Sequence, residues 1–213
     1  MKIYQLVADQ VTMSDDRSSI GLARGARSLR LGPLPPAIVD GLDGLVSEPC
    51  SDTALSRRVI GAGQPSDLAV LAALLTGLWR AGWLRLTVQG SNGPLIVADP
   101  LLPRAGGLSS GVGRPRLSAQ KNLRLARDIV LTTEGQTLVV ESGSSLMRVG
   151  LHDPAAAALV ASLVQPVDGG DLLATLSTTD QGDDLAAVVE TLLDVGLVVA
   201  GSDSADDSRY WSS

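Results

Sequence analysis

The chain has 213 residues, 45% hydrophobic and 19% charged, the balance of a globular protein and not of a disordered one. Its net charge of −6 divides unevenly: residues 1–127 carry 15 basic and 9 acidic residues (+6), whereas residues 128–213 carry 2 and 14 (−12). A nucleic-acid reader needs positive charge where it meets phosphate, which the second part lacks and the first could supply; mutual attraction of the two parts explains the asymmetry equally well.

Phe is absent, and only 2 Tyr and 3 Trp are present, so the core must be built from Leu, Val, Ala and Ile. Arg outnumbers Lys 15 to 2 and Asp outnumbers Glu 19 to 4, a bias we assign to the source genome and not to function. Cys50 is alone, which excludes an internal disulfide. The N-terminus lacks the apolar core of a signal peptide. The run Leu68–Trp79 contains Thr76, lies between Asp67 and Arg80, and is too short to span a bilayer. The expectation is a cytoplasmic protein without a membrane segment.

In chain order, strand material lies in Lys2–Val11, Ser19–Ala23 and Ser28–Leu31. Helices are predicted over Pro36–Val46, Asp52–Ile60 and Ser66–Ala81, the last ending at Gly82, with a strand-like exit over Trp83–Val88. Residues 99–121, rich in Pro, Gly, Ser and Arg, read as an extended or mobile linker. Beyond it, Ile129–Thr132 and Thr137–Glu141 flank Glu134-Gly135-Gln136, a hairpin signal. Ser142–Ser145 makes a turn, and Leu146–Leu151 alternates as a third strand. Asp153 then suits an N-cap and Pro154 the first helical position, opening a helix through Val164 that stops before Pro166. A short helix near Asp171–Leu176 follows. The last helix starts at Asp183 or Asp184, with apolar residues at 185, 188, 189, 192 and 193 on one face, and Gly196 as its C-terminal cap. Leu197–Val199 returns as a strand. Residues 201–213 form an acidic tail.

These elements come in the same order twice. Leu29–Ala37 reads onto Met147–Ala155 at an offset of 118, and Leu71–Leu84 onto Leu185–Val198 at an offset of 114. Two related units in tandem are therefore expected. The fold class is α+β: two tandem winged-helix-like modules of three strands plus three helices each, over 1–98 and 122–200, joined by the 99–121 linker.

Catalytic chemistry is scarce. A single His, His152, excludes a His-rich metal site, and its place between a strand and a helix cap suits a turn or packing role. Cys50 has no neighbouring His or basic cluster to lower its pKa. Gly106-Gly107 and Gly111-Val-Gly113-Arg114 lack the Gly-Lys-Ser/Thr ending of a phosphate loop. No carboxylate pair is placed opposite an apolar pocket. No residue is assigned to catalysis, to a metal or to a cofactor, and binding is the better reading.

From Ser118 to Trp211 the chain resembles the region before the flavin domain of SagB-type azoline dehydrogenases, nitroreductase-like enzymes that oxidise thiazolines and oxazolines in ribosomally made peptides. The residues that carry the resemblance are Leu117-Ser118, Leu138-Val-Val-Glu-Ser142, Met147-Arg-Val-Gly-Leu-His-Asp-Pro-Ala-Ala-Ala-Ala-Leu159, Leu192-Leu-Asp-Val-Gly-Leu197 and Arg209-Tyr-Trp211. The chain departs from the family at Ala119-Gln-Lys-Asn122, where aromatic residues are expected, and it holds no flavin domain. FMN is thus expected only in a partner or a further domain. The resemblance also implies the module type, a PqqD-like peptide-recognition element, which takes a precursor's leader peptide as an added strand between its third strand and third helix.

By position, that cleft comprises Ser28, Leu29, Arg30 and Leu31 against Leu71, Leu74, Leu75 and Leu78 in the first unit. In the second it comprises Leu146, Met147, Arg148 and Val149 against Val188, Val189 and Leu192. Most of the apolar members would be core in any winged helix. Arg30 and Arg148, at equivalent positions on the expected edge strands, discriminate better. An acidic leader would favour the basic first unit and leave the acidic second as a structural copy. The implied partners are a leader peptide and a modifying enzyme, an azoline dehydrogenase or a cyclodehydratase; a homodimer is compatible with the sequence. Two rival readings stand beside this one. A winged-helix DNA-binding regulator would need a basic recognition helix, yet Asp183–Val195 has four acidic residues and no basic one. The other rival is the N-terminal part of an azoline dehydrogenase itself.

Overall fold

In the computed structural model, residues 1–101, 117–119, 121–143 and 145–201 are described. Among these residues the fold is α+β, with six helices and three sheets. The first half begins with β1 (Lys2–Leu6) and an antiparallel meander of β2 (Gln10–Met13), β3 (Ile20–Arg24) and β4 (Arg27–Leu31). The β3–β4 turn is Gly25-Ala26. Gly25 has φ 55° at the first central position of a two-residue hairpin loop, where a residue without Cβ avoids strain.

Helix α1 (Pro36–Ser47) has Pro at its start, where the missing N–H costs no hydrogen bond. Strand β5 (Cys50–Ser51) leads into α2 (Asp52–Ala62), whose cap is the Ser51 hydroxyl accepting from the Ala54 N–H at 3.1 Å. Helix α3 (Asp67–Arg80) follows, and then the hairpin of β6 (Leu84–Gly90) and β7 (Gly93–Pro100). Helical periodicity explains which faces turn inward: Ile38, Leu42 and Leu45 of α1 and Leu71, Leu75 and Leu78 of α3 are all buried. Each such side chain contributes about 1.5–3 kcal/mol of apolar burial.

The second half repeats this order. Strand β8 (Asn122–Leu125) precedes a meander of β9 (Ile129–Glu134), β10 (Thr137–Ser142) and β11 (Met147–Leu151). Helix α4 (Pro154–Ser162), β12 (Val167–Asp168), α5 (Gly169–Ser177), α6 (Gly182–Asp194) and β13 (Val198–Gly201) complete it. Asp153 caps α4 by accepting from the Ala155 N–H at 2.7 Å, and Asp168 caps α5 through the N–H groups of Gly170 and Asp171. The recurrence extends to a three-strand order, β5-β1-β6 at one end of the large sheet in the first half and β12-β8-β13 as a separate sheet in the second. Pro36 and Pro154 both open their helices, while Gly82 and Gly196, 114 residues apart, follow α3 and α6 with φ of 77° and 76°.

Several expectations need correction. Each half has three helices but more than three strands, seven in the first and six in the second among the described residues. The short strands β5 and β12 and the strands β7 and β8 were not expected. Asp99 and Pro100, assigned to the linker, belong to β7, and Gly201, assigned to the tail, pairs with Asn122 in β13. The rest of that linker from 102 to 116, residue 120, and 202–213 lie outside the described residues.

The halves are not separate bodies. Strand β7 pairs with β11 as well as with β6, producing one seven-stranded sheet ordered β5-β1-β6-β7-β11-β10-β9. One apolar cluster runs from Tyr4 and Trp83 through Ile96 and Val149 to Val188 and Leu197. Helix α6 packs on β6 and β7 of the first half as well as on β13. Two ion pairs add to this seam: the N-terminal ammonium with Asp184 at 3.0 Å, and Arg80 with Asp194 at 3.8 Å. Arg80 ends α3 and Asp194 ends α6, so the two helix ends meet with opposite charge.

Candidate peptide-binding edge

The two expected clefts differ in one decisive respect. Strand β11 is not an edge: β10 pairs with one side and β7 with the other. The β7–β11 ladder matches Ile96 with Leu151, Ala98 with Val149 and Pro100 with Met147. It is extended by the His152 N–H donating to the Leu95 carbonyl at 2.9 Å and the Leu101 N–H to the Leu146 carbonyl at 2.8 Å. Residues Ile96, Ala98 and Pro100 are buried, and β7 touches both α4 and α6. A segment of the chain therefore already lies where an added strand was expected in the second half. The expectation of an open edge at Leu146–Val149 does not hold.

Strand β4, by contrast, terminates the sheet β2-β3-β4. In a hairpin closed at Arg24 and Arg27 by a two-residue turn, hydrogen-bonded and non-hydrogen-bonded pairs alternate. That alternation turns the backbone N–H and C=O groups of Ser28 and Arg30 toward the unpaired side. Ser28 and Arg30 are exposed, Leu29 is half-buried, and Leu31 belongs to the core. Across the face of this sheet, from β2 to β4, is a recess of about 410 Å³ whose lining includes Thr12, Gly21, Ala23, Ser28 and Arg30. A Cβ at Gly21 would lie 2.5 Å from the Thr12 hydroxyl oxygen, so any larger residue there would displace that side chain.

The arginines have different surroundings. Arg148 contacts Glu134 and is 3.1 Å from Glu141, while its register partner across the β7 seam is Asp99. Asp99 in turn contacts Arg85, and Arg85 reaches the Gln5 side chain at 3.4 Å. A row of alternating charge thus crosses β10, β11, β7 and β6 on the sheet's outer face, and Arg148 is consumed within it. Arg30 has no ion pair among the described residues. Arg24, at the tip of the same hairpin, has a buried Nη1 without a hydrogen-bond partner.

The remaining cleft residues divide by burial. Leu71, Leu75, Leu78, Met147, Val149, Val188, Val189 and Leu192 are core, and only Leu74 and Leu146 are half-buried. His152 is exposed beside the β7–β11 pair, and Cys50 is half-buried in β5. No group of three or more His, Cys, Asp or Glu among the described residues could hold a metal ion. No helix among them is long and apolar enough to cross a membrane. Sequence reasoning missed the element that organises the site, β7. Its signal was present as Asn92-Gly93 followed by the apolar run Leu95–Ala98, a hairpin pattern. No model of a known protein family matches the chain, and no curated protein matches it.

Proposed function

We propose that this protein is a non-catalytic peptide-recognition protein of two winged-helix-like modules. The first module takes a precursor's leader peptide as an added strand on β4, and the second is a structural copy. The protein then delivers the peptide to a modifying enzyme, an FMN-dependent azoline dehydrogenase or a cyclodehydratase. The observation that carries this reading is β7 seated on β11: in one half a strand lies against the third strand of the meander, and in the other no strand among the described residues pairs with that edge. Strand addition supplies main-chain hydrogen bonds for affinity, and flanking side chains supply selectivity.

Fluorescence polarisation of the full chain with labelled leader peptides from neighbouring precursor genes tests it. Saturable low-micromolar binding that Arg30→Glu weakens and Arg148→Glu leaves unchanged supports the proposal. Absence of binding to every leader, with a salt-sensitive shift on duplex DNA, would replace it with the DNA-binding reading.

A further inference from the structure

The strand already docked in the second half specifies what an open counterpart would accept. Resting on the reading above, we infer that the first half binds one acidic, β7-like segment per chain. This segment is extended and antiparallel to β4, with apolar side chains at alternate positions facing the helices. An Asp or Glu sits on its outer face beside Arg30.

Each part of this description comes from β7. Its inward side chains, Ile96, Ala98 and Pro100, are small or apolar and buried, whereas Val97 and Asp99 between them are only half-buried. Its one charged side chain, Asp99, lies opposite Arg148 in the ladder and contacts Arg85 of the adjoining β6, so the resident strand places its carboxylate on the outer face between basic side chains. Arg30 and Arg148 both alternate with core-facing residues of their strands, Leu31 in β4 and Met147 and Val149 in β11. Arg30 therefore faces outward as Arg148 does, without the ion pairs that occupy Arg148. The small residues Gly21, Ala23 and Ser28 line a recess that reaches Arg30 and leaves its outer face uncrowded. Arg27 adds a second exposed positive charge on the same strand. The stoichiometry follows from topology: β11 has no free side, so the second half offers no equivalent edge.

The probe is a fluorescein-labelled peptide copying residues 92–101, Asn-Gly-Pro-Leu-Ile-Val-Ala-Asp-Pro-Leu, and a version with Lys in place of its Asp. The expected result is saturable 1:1 binding to the full chain, with the Lys version roughly tenfold weaker and the preference reversed by Arg30→Glu. Hydrogen exchange should place the new protection at residues 27–31. Three results overturn the inference: no binding, indifference to both charge changes, or protection that appears at 147–151 through exchange with the resident strand. Leader peptides that protect 27–31 without needing an acidic residue would overturn it while leaving the proposed function standing. Failure of leader and copied peptides alike would remove both.

Discussion

The two meanders, β2-β3-β4 and β9-β10-β11, follow one plan and end in opposite conditions. In the second, the third strand is covered by β7, its arginine is enclosed by Glu134, Glu141 and Asp99, and a sheet continues past it. In the first, the third strand is the last one, and its arginine is exposed. The difference teaches how two meanders of the same strand order can differ in whether the third strand lies inside a sheet or at its end. The hairpin β6–β7 pairs with the third strand of the second meander, while β4 keeps a side with no strand paired to it among the described residues, a feature that natural sheets otherwise cover or blunt with charge.

The comparison is broken most severely in the shared core. Leu78 and Leu192, 114 residues apart, are both fully buried. Truncating either to Ala should cost about 3 kcal/mol through lost burial and the cavity left behind. Because the halves share one apolar cluster, either change should unfold both in a single chemical-denaturation transition. Two separated transitions would show that the halves are independent. Truncating the docked strand itself, by Ile96→Ala, should cost a similar amount, about 2–3 kcal/mol, and should also speed amide exchange across 147–151.

The seam between the helix ends is weaker. Arg80→Ala removes this ion pair from Asp194, whose side chain is 8% exposed, and should cost about 2 kcal/mol. The double variant with Asp194→Ala should recover part of that loss, which a double-mutant cycle in urea would measure. The two edge arginines sharpen the contrast further. Arg148→Glu places a fourth carboxylate among Glu134, Glu141 and Asp99 and should cost about 1 kcal/mol, while Arg30→Glu should change stability by less than about 0.5 kcal/mol.

The smallest effect lies in the β2–β3 turn. Asp16 accepts hydrogen bonds from the Ser14 hydroxyl at 2.6 Å, the Ser18 hydroxyl at 2.8 Å and the Ser18 N–H at 3.1 Å. The Ser14 bond is the largest cause of a carboxyl pKa lowered from 3.8 to about 2. Since the folded value lies below the unfolded one, the stabilising contribution is complete above 3.8 and disappears as pH falls through about 2. A carboxyl NMR titration should find this low value, and Ser14→Ala should move it upward.

Local features of the fold were legible in the sequence and long-range ones were not. The β9–β10 hairpin announced itself through Gly135, the α4 start through Asp153-Pro154, and the ends of α3 and α6 through Gly82 and Gly196. Each depends on a backbone requirement met within a few residues. Strands β5 and β12, two residues each, are too short to carry a periodic pattern. The pairing of β7 with β11 joins residues about fifty apart, and nothing local in Leu95–Asp99 names its partner. That pairing decides which of the two third strands keeps an unpaired side, so the candidate site could be read only as a pair of equivalents. The cleft's apolar residues were ambiguous for the same reason: Leu78 and Val189 point into a core whichever role their helices have.

The most direct measurement is hydrogen exchange on the full chain with and without a leader peptide. The expected result is that amides of 147–151 are protected before peptide is added, and that peptide brings new protection to 27–31, lost with Arg30→Glu. Protection arising at 147–151 on addition of peptide, with 27–31 unchanged, would contradict the division into a filled and an open copy.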